Sequence, residues 1–232
     1  MRSAELEQIV ELLFARQKSS DPATRTIQER RDRLDGLANV FPLPDDVVRT
    51  EIALGGVQAV RLEPPGAGDD VLLYFHGGGY GGGLARSHSE LAARLARAAG
   101  ATAILPEYRL APEHSFPAAL DDAVAAFRAL LVELDGDAGR LVVGGDSAGG
   151  GLAVAMCVAL RDAGEPLPRA ISLLSPWLDL TCSSPSWDER FKGDPVLDHV
   201  WPIFPITPEA VASTARVGRF LATTWVVASP KG

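Results

Sequence analysis

A serine flanked by glycines lies in the middle of the chain, in the string LVVGGDSAGGG at residues 141–151. Gly145, Ser147 and Gly149 fit the pattern G-x-S-x-G, with a predicted strand before them and a predicted helix after them. A serine on so sharp a strand-to-helix turn has a strained backbone and an exposed hydroxyl. The flanking glycines leave room where the two arms of the turn meet. The spacing therefore predicts that Ser147 is a catalytic nucleophile, or descends from one.

A second glycine-rich string, HGGGYGGG at residues 76–83, directly follows the apolar run VLLYF. Glycine amides can bind a developing negative charge, and His76 before the glycines gives the HGGG form of lipase and esterase oxyanion loops. A competing interpretation is a dinucleotide site, because Gly77, Gly79 and Gly82 fit G-x-G-x-x-G ahead of a helix. We favour the oxyanion loop, since a dinucleotide site leaves the serine string unexplained.

Alternating strands and helices surround both strings. Apolar periodicity and turn signals predict strands at 47–53 and 57–62, joined by a hairpin turn at Gly55-Gly56. The elements predicted after this hairpin are strand 71–75, helix 85–99, strand 101–106, helix 117–134, strand 140–144, helix 148–163 and strand 169–174. Such an order predicts parallel β-α-β units with right-handed crossovers. The expected fold class is therefore α/β, with helices on both faces of a mostly parallel central sheet.

Two helices are predicted before the sheet. Residues 3–18 carry an apolar face, and Asp21-Pro22 predicts the start of a charge-rich helix that runs to about Leu37. Two interpretations of these helices stay open. They either only pack against the rest of the domain, or form a lid over the site.

Composition and charge restrict the class of protein. The chain has 232 residues with a net charge of −8, which suits one domain with a large core and disfavours nucleic acid or an anionic membrane as partner. No apolar run reaches the length of a membrane span, and the glutamates near the N-terminus are unlike a signal peptide, so we expect a cytoplasmic protein. Cys157 and Cys182 share no metal or redox spacing, and neither a metal nor a cofactor is expected.

Four strings together resemble one family. The two glycine strings, PEYRLAPEHSFPAALDDAVAAF at 106–127 and LLSPWLDLT at 173–181 closely resemble the hormone-sensitive-lipase-like branch of the α/β-hydrolases, the bacterial esterase type. The resemblance extends to about Leu197 and implies hydrolysis of short to medium acyl esters without a cofactor. It also implies a helical cap. The expected organisation is N-terminal cap helices at 1–45, a hydrolase core at 46–180, and a cap-region segment with an atypical tail at 181–232.

The resemblance implies a role for each matching site residue. Ser147 would attack the ester carbonyl, and the amides of Gly77, Gly78 and Ala148 would hold the oxyanion. His76 would orient the oxyanion loop through its ring hydrogen bonds.

Other motif residues are expected to support the two turns or the surrounding structure. Asp146 is interpreted as a turn residue, and Gly79, Gly145 and Gly149 as supporting glycines. The residues expected to be structural are Tyr108, Arg109, Glu113 and His114. Among these, Arg109 and Glu113 are expected to pair with each other, either internally or on the surface.

The residues after Ser147 depart from the family pattern. An acid and then a histidine follow the serine in α/β-hydrolases, and His199 is the sole histidine after Ser147 here. The string DPVLDH at 194–199 resembles a cap-region segment more closely than the acid motif, so His199 is interpreted as a cap surface residue. The resemblance ends near Trp201. We therefore expect a C-terminally truncated or frame-shifted member whose acid and base are not found.

This departure has consequences for activity and for the sheet. A serine without its base is a poor nucleophile, so we expect weak or no activity, with a non-catalytic ligand-binding or interaction protein as the alternative. The last strands are expected to be missing, which would leave an open edge that a homodimer could cover. The string TTWVVAS at 223–229 is a candidate strand. Three tryptophans are interpreted as core or cap residues rather than acyl-pocket residues, namely Trp177, Trp187 and Trp201.

Overall fold

A computed structural model gives the fold and describes residues 26–183, 205 and 207–226. Its helices are α1 (Ile27–Asp35), α2 (Leu37–Val40), α3 (Ala85–Ala99), α4 (Ala118–Glu133), α5 (Ser147–Asp162) and α6 (Pro208–Val226). Its strands are β1 (Val48–Leu54), β2 (Val57–Glu63), β3 (Val71–Phe75), β4 (Thr102–Pro106), β5 (Leu141–Asp146) and β6 (Ala170–Leu174). The helix predicted at 3–18, Trp187, His199 and Trp201 lie outside the described residues.

The strands form one sheet in the order β1-β2-β4-β3-β5-β6. Strands β3 to β6 run parallel, while β1 and β2 are antiparallel to their neighbours, so the predicted mostly parallel α/β sheet is confirmed. In the pairing of β3 with β5, Phe75 lies opposite Gly145. The two glycine strings therefore begin side by side at the same edge of the sheet, because parallel strands share their carboxyl ends.

The hairpin between β1 and β2 turns at the predicted glycines. Gly55 and Gly56 have φ angles of 58° and 87°, and two consecutive left-handed residues are the conformation of a type I′ turn. A β-carbon on Gly55 would lie 2.6 Å from the carbonyl oxygen of Ala125 in α4, which gives a second reason for glycine there.

Helices cover both faces of the sheet. Alternate residues of β3 point to opposite faces, with Leu72 and Tyr74 in one apolar cluster and Leu73 and Phe75 in the other. Helices α3 and α6 complete the first cluster, and α4 and α5 complete the second. All five residues of β3 are buried. This is the environment that the uninterrupted apolar run VLLYF predicts.

Helix α1 begins later than predicted. Its N-cap is Thr26, whose Oγ1 accepts from the Glu29 N–H at 3.2 Å while the Glu29 carboxylate accepts from the Thr26 N–H at 2.8 Å. This capping box satisfies two backbone donors reciprocally, so the helix starts at Ile27. The prediction of a start at Asp21-Pro22 was wrong for this helix.

Helix α6 corrects the interpretation of the C-terminal tail. The residues 223–226, predicted as part of a strand, continue this helix. It packs on α3 with Leu221 fully buried, and Arg94 of α3 donates to Thr214 Oγ1 at 2.9 Å. Within the described residues, β6 is the last strand of the sheet on its side, and α6 covers a face of the sheet rather than extending its edge.

The contact between α6 and α3 predicts that an alanine at Gly218 lowers stability, although alanine usually stabilises a helix. A β-carbon on Gly218 would overlap the side chain of Ala98 and lie 2.6 Å from the Ala98 carbonyl carbon. We therefore expect Gly218→Ala to lower the free energy of unfolding by about 1–3 kcal/mol, although alanine is worth about 1 kcal/mol more than glycine in a free helix. Urea unfolding measures the change. The exposed control Arg216→Ala should stay within about 0.5 kcal/mol, and an equally stable or stabilised Gly218→Ala would mean that α6 is not docked in this way.

Candidate active site

The serine string folds as the predicted strained turn. Strand β5 ends at Asp146, helix α5 begins at Ser147, and Ser147 itself has a φ of 50°. The left-handed conformation costs a residue with a side chain about 1–2 kcal/mol. Ser147 is half-buried. A β-carbon on Gly149 would overlap the carbonyl oxygen of Phe75, and one on Gly145 would lie 2.5 Å from Gly149. Both positions require glycine, because backbone atoms of the neighbouring segment occupy the space of a β-carbon.

The loop after β6 supports the turn from the other side. The Trp177 N–H donates to the Ser147 carbonyl at 2.8 Å, and the Trp177 indole N–H donates to the Asp179 carbonyl at 2.9 Å. A β-carbon on Gly151 would overlap the Trp177 carbonyl oxygen. The half-buried Trp177 therefore lies next to the serine, with its indole held within its own loop.

The second glycine string forms a compact turn beside Ser147. The carbonyl of Gly78 accepts from the N–H groups of both Gly81 and Gly82, at 3.2 and 3.0 Å. Gly78, Gly79 and Tyr80 all have positive φ angles, of 130°, 64° and 59°. Two of the three are glycines, which adopt this conformation without a steric cost, whereas Tyr80 is strained.

The buried carboxylate of Asp146 joins the two glycine strings. Its Oδ1 accepts from the Gly77 N–H at 3.0 Å and from the Tyr74 hydroxyl at 2.9 Å, and its Oδ2 lies 3.5 Å from His88 Nε2. Asp146 is thus more than the turn residue that the sequence suggested. It fixes the serine turn to the start of the glycine loop.

The bond to Asp146 changes the assignment of Gly77. Its N–H points at the carboxylate and is not free to meet a negative charge above Ser147. Among the described residues, the N–H groups of Gly78 and Gly79 have no hydrogen-bond partner. The N–H of Ala148 lies in the first turn of α5, where amides have no carbonyl partner within the helix.

His76 is fully buried under the glycine loop. Its Nδ1 lies 2.8 Å from the Gly77 carbonyl, so this nitrogen carries the proton, and its ring stacks on Tyr108 at a centroid distance of 4.3 Å. Burial and the neighbouring His88 lower the pKa of His76 to about 4. The ring is therefore neutral near pH 7 and contacts the loop as a hydrogen-bond donor.

His88 was not singled out by the sequence. It lies in α3, and only the helical periodicity of its buried neighbours gives a signal. Burial opposes a charge on this ring, but the Asp146 carboxylate beside it raises the pKa of His88 above its ordinary value. Burial likewise opposes a charged Asp146, yet His88 and Tyr74 hold the pKa of that carboxyl below its usual range. The two side chains form a buried contact behind the serine turn, in which each favours the charged form of the other.

The predicted pair of Arg109 with Glu113 does not form. Arg109 donates to Asp122 of α4 at 2.8 Å, while Glu113 accepts from Arg31 of α1 at 2.6 Å. Arg109 lies three residues after the end of β4, where the Asp122 carboxylate also accepts its backbone N–H at 2.8 Å. Arg109 therefore binds Asp122 through both its backbone and its side chain, and not Glu113.

No histidine among the described residues hydrogen-bonds the Ser147 hydroxyl. His76 and His88 are committed to the contacts above, and His114 is exposed on the surface. The described residues also contain no group of metal-binding side chains and no helix long and apolar enough to cross a membrane.

Known proteins with related sequences and structures were compared with this chain. The sequence family described as alpha/beta hydrolase fold matches residues 72–205. An acetyl-hydrolase of Streptomyces hygroscopicus is 41% identical over 199 residues, or 85% of this chain and 65% of that protein. The chain spans between 42% and 65% of the length of three curated relatives that it matches.

Two crystal structures show the same fold. An esterase from the bacterial hormone-sensitive lipase family superposes with a TM-score of 0.89 at 31% identity, over 97% of this chain and 99% of that chain. A hormone-sensitive lipase from a metagenome library superposes with a TM-score of 0.78 at 35% identity, over 93% of this chain and 69% of that chain.

The two buried histidines are expected to titrate on opposite sides of the ordinary histidine range. Imidazole NMR should find His76 neutral down to about pH 4 and His88 still protonated above pH 6.5. Asp146→Asn removes the charge that raises the pKa of His88 and should therefore lower it. Similar titration of both rings near pH 6.5 in the folded protein would contradict this arrangement.

The pKa shifts of His76 and His88 also predict whether the free energy of unfolding rises or falls with pH. Between pH 6.5 and about 4 the unfolded chain protonates His76 and the folded chain does not, so acidification over this range lowers stability. The contribution of His88 is fully present below pH 6.5 and is lost as the pH rises through its raised folded pKa. Urea unfolding of the wild type from about pH 4 to well above pH 6.5 measures both effects, and His88→Gln should remove the loss above pH 6.5.

Proposed function

The chain belongs to the α/β-hydrolase fold family, and we propose that it is a carboxylic-ester hydrolase with Ser147 as its nucleophile. The observation that carries the proposal is the Asp146 carboxylate, which bonds the Gly77 N–H at 3.0 Å and thereby joins the serine turn to the glycine loop. A nucleophile and a row of amide donors beside it are the two parts needed to attack a carbonyl and hold the resulting oxyanion.

The oxyanion would be held by backbone amides. We assign this role to Gly78, Gly79 and Ala148, with Gly77 as the residue that anchors the loop. Ala148 is at the positive end of the α5 dipole, which also favours a negative charge. Each such donor is worth about 3 kcal/mol of transition-state stabilisation. The glycines suit this role because no side chain blocks access to the amides.

The nucleophilic step also needs a proton acceptor for the Ser147 hydroxyl. His76 is unsuited to this, because its Nδ1 proton is given to Gly77 and its pKa of about 4 makes it a weak base. His88 is also unsuited, because its Nε2 lies against the Asp146 carboxylate and its Nδ1 against the Ser87 hydroxyl, so neither ring nitrogen is bonded to Ser147. The described residues supply the nucleophile and the oxyanion donors, and we propose weak turnover from these two parts, since loss of triad members typically costs about 10⁴–10⁶ in rate.

The proposed substrates are small-molecule esters with short to medium acyl groups. The support is the family together with the names of relatives, which include an acetyl-hydrolase and an ethyl acetate hydrolase. A non-catalytic ligand-binding protein is the second candidate. It is favoured by one observation, that no histidine among the described residues bonds the Ser147 hydroxyl.

Turnover of p-nitrophenyl butyrate tests the proposal. We expect a rate above background that Ser147→Ala abolishes, because removal of the hydroxyl leaves no nucleophile. Ser115→Ala, at an exposed loop serine, is the matched control and should keep the wild-type rate. Labelling by a fluorophosphonate probe should follow the same pattern.

Absence of both a Ser147-dependent rate and labelling would reject ester hydrolysis by this chain. Calorimetry with p-nitrophenyl butyrate would then test the binding alternative, because a retained pocket still takes up the ester.

A further inference from the structure

We propose that Arg31 of α1 is a positioning residue that holds the glycine loop at 78–82 in its working conformation from the N-terminal helix. This inference rests on the proposed function of the loop as the oxyanion hole. It adds a residue 47 positions before Gly78, the first glycine of that loop, and outside every motif in the sequence.

One guanidinium reaches three acceptor groups on two segments. Arg31 Nε donates to the Gly81 carbonyl at 2.8 Å, and its Nη2 donates to the Ala111 carbonyl at 3.0 Å. Both Nη atoms donate to the carboxylate of Glu113, at 2.8 and 2.6 Å. The Arg31 side chain is 19% exposed, and its bonds to the Gly81 and Ala111 carbonyls are partly buried. The Glu113 side chain is 51% exposed, so its pair with Arg31 lies at the surface. The contact ties the glycine loop to the turn that follows β4.

The rest of α1 lies on the same loop. Ile27, Arg31 and Leu34 occupy one face of the helix at spacings of four and three residues. A β-carbon on Gly81 would lie 3.5 Å from Ile27 Cδ1, and one on Gly82 would lie 3.0 Å from Leu34 Cδ1. A side chain at Gly82 would therefore crowd Leu34, whereas one at Gly81 would make ordinary van der Waals contact with Ile27. Helix α1 therefore contacts the loop itself, which favours a role at the site over packing alone.

The loop needs to be held because its backbone is strained. Tyr80 has a φ of 59°, which a residue with a large side chain adopts only where its surroundings enforce it. The Tyr80 carbonyl accepts from the Ala111 N–H at 2.8 Å, and the next carbonyl, that of Gly81, accepts from Arg31. Because Arg31 also binds the Ala111 carbonyl, the three segments form a closed set of contacts around the strained residue.

The geometry requires arginine rather than any cation. A planar guanidinium presents five donors in fixed directions, whereas a lysine ammonium is a point charge on a flexible stem. Arg31 donates from both Nη atoms to Glu113, while Nε donates to the Gly81 carbonyl and the second Nη2 hydrogen to the Ala111 carbonyl. The bonds from Arg31 lower the pKa of Glu113 to about 2, so its carboxylate is ionised near neutral pH.

The experiment compares Arg31→Met, Arg31→Lys and Glu113→Gln with the control Arg97→Met. Arg97 of α3 forms a fork of the same geometry with Asp46, at 2.8 and 2.6 Å, and contacts neither glycine string. Hydrogen exchange at the amides of Gly81 and Gly82 is the first readout, because both donate to the Gly78 carbonyl only while the loop is folded.

We expect the amides of Gly81 and Gly82 to exchange about tenfold faster in Arg31→Met, and Arg31→Lys should not restore the slow exchange. In Glu113→Gln the bond from Arg31 to Gly81 is kept, so exchange should be only about threefold faster. Arg97→Met should leave this exchange unchanged. The second readout is p-nitrophenyl butyrate turnover, in which Arg31→Met should lose about 10- to 100-fold in kcat with KM within about twofold, since misplaced oxyanion donors weaken the transition state more than the bound ester.

Unchanged exchange in Arg31→Met would overturn the inference, and so would faster exchange with an unchanged kcat in an active protein. If Arg31→Met does not fold, Glu113→Gln decides in the same way, with unchanged exchange overturning the inference. A wild type without Ser147-dependent turnover would overturn the proposed hydrolysis alone. The exchange readout would then still decide whether Arg31 holds the loop.

Discussion

The buried carboxylate of Asp146 is the contact on which the rest of this site depends. It directly precedes Ser147 in the chain and bonds the Gly77 N–H across the sheet edge, so the serine turn and the glycine loop cannot separate without breaking it. Burial of an unpaired carboxylate would cost several kcal/mol, and one whose partners are all present costs far less. Tyr74, Gly77 and His88 supply those partners. The buried Asp146 carboxylate therefore holds the serine turn and the glycine loop together.

Several features of the sequence follow from that link. A β-carbon on Gly77 would occupy the space of the Asp146 carboxylate, and one on Gly149 would occupy the space of the Phe75 carbonyl. The glycines at these two positions therefore serve close backbone approach rather than flexibility. The two buried histidines have different partners, because His88 lies against the Asp146 carboxylate while His76 stays neutral and donates to the Gly77 carbonyl. The strained φ angles of Ser147 and Tyr80 persist within this closely packed region.

Most of the fold could be predicted because its signals are local. The β-α-β elements from Val71 to Leu174 have boundaries within about two residues of those predicted, since apolar periodicity and glycine stops act over a few neighbouring residues. Two predictions failed where local signals compete. Helix α1 starts at the capping box of Thr26 rather than at Asp21, and the residues 223–226 belong to a helix. In the second case a β-branched run continues a helix whose preceding turns pack against α3 through Val217 and Leu221.

The sequence by itself determined the family, the serine on its turn and the glycine loop, because each is a contiguous string whose local geometry depends on its own residues. Only the tertiary structure decided which charges meet. Arg31 pairs with Glu113 at a separation of 82 residues, and Asp146 binds Tyr74 at a separation of 72. His88 of α3 lies against the same Asp146 carboxylate. The residue types show which side chains could pair, but they do not show which of those pairs form. For Asp146 and Tyr74 the choice follows from the strand order, which brings the carboxyl ends of β3 and β5 together.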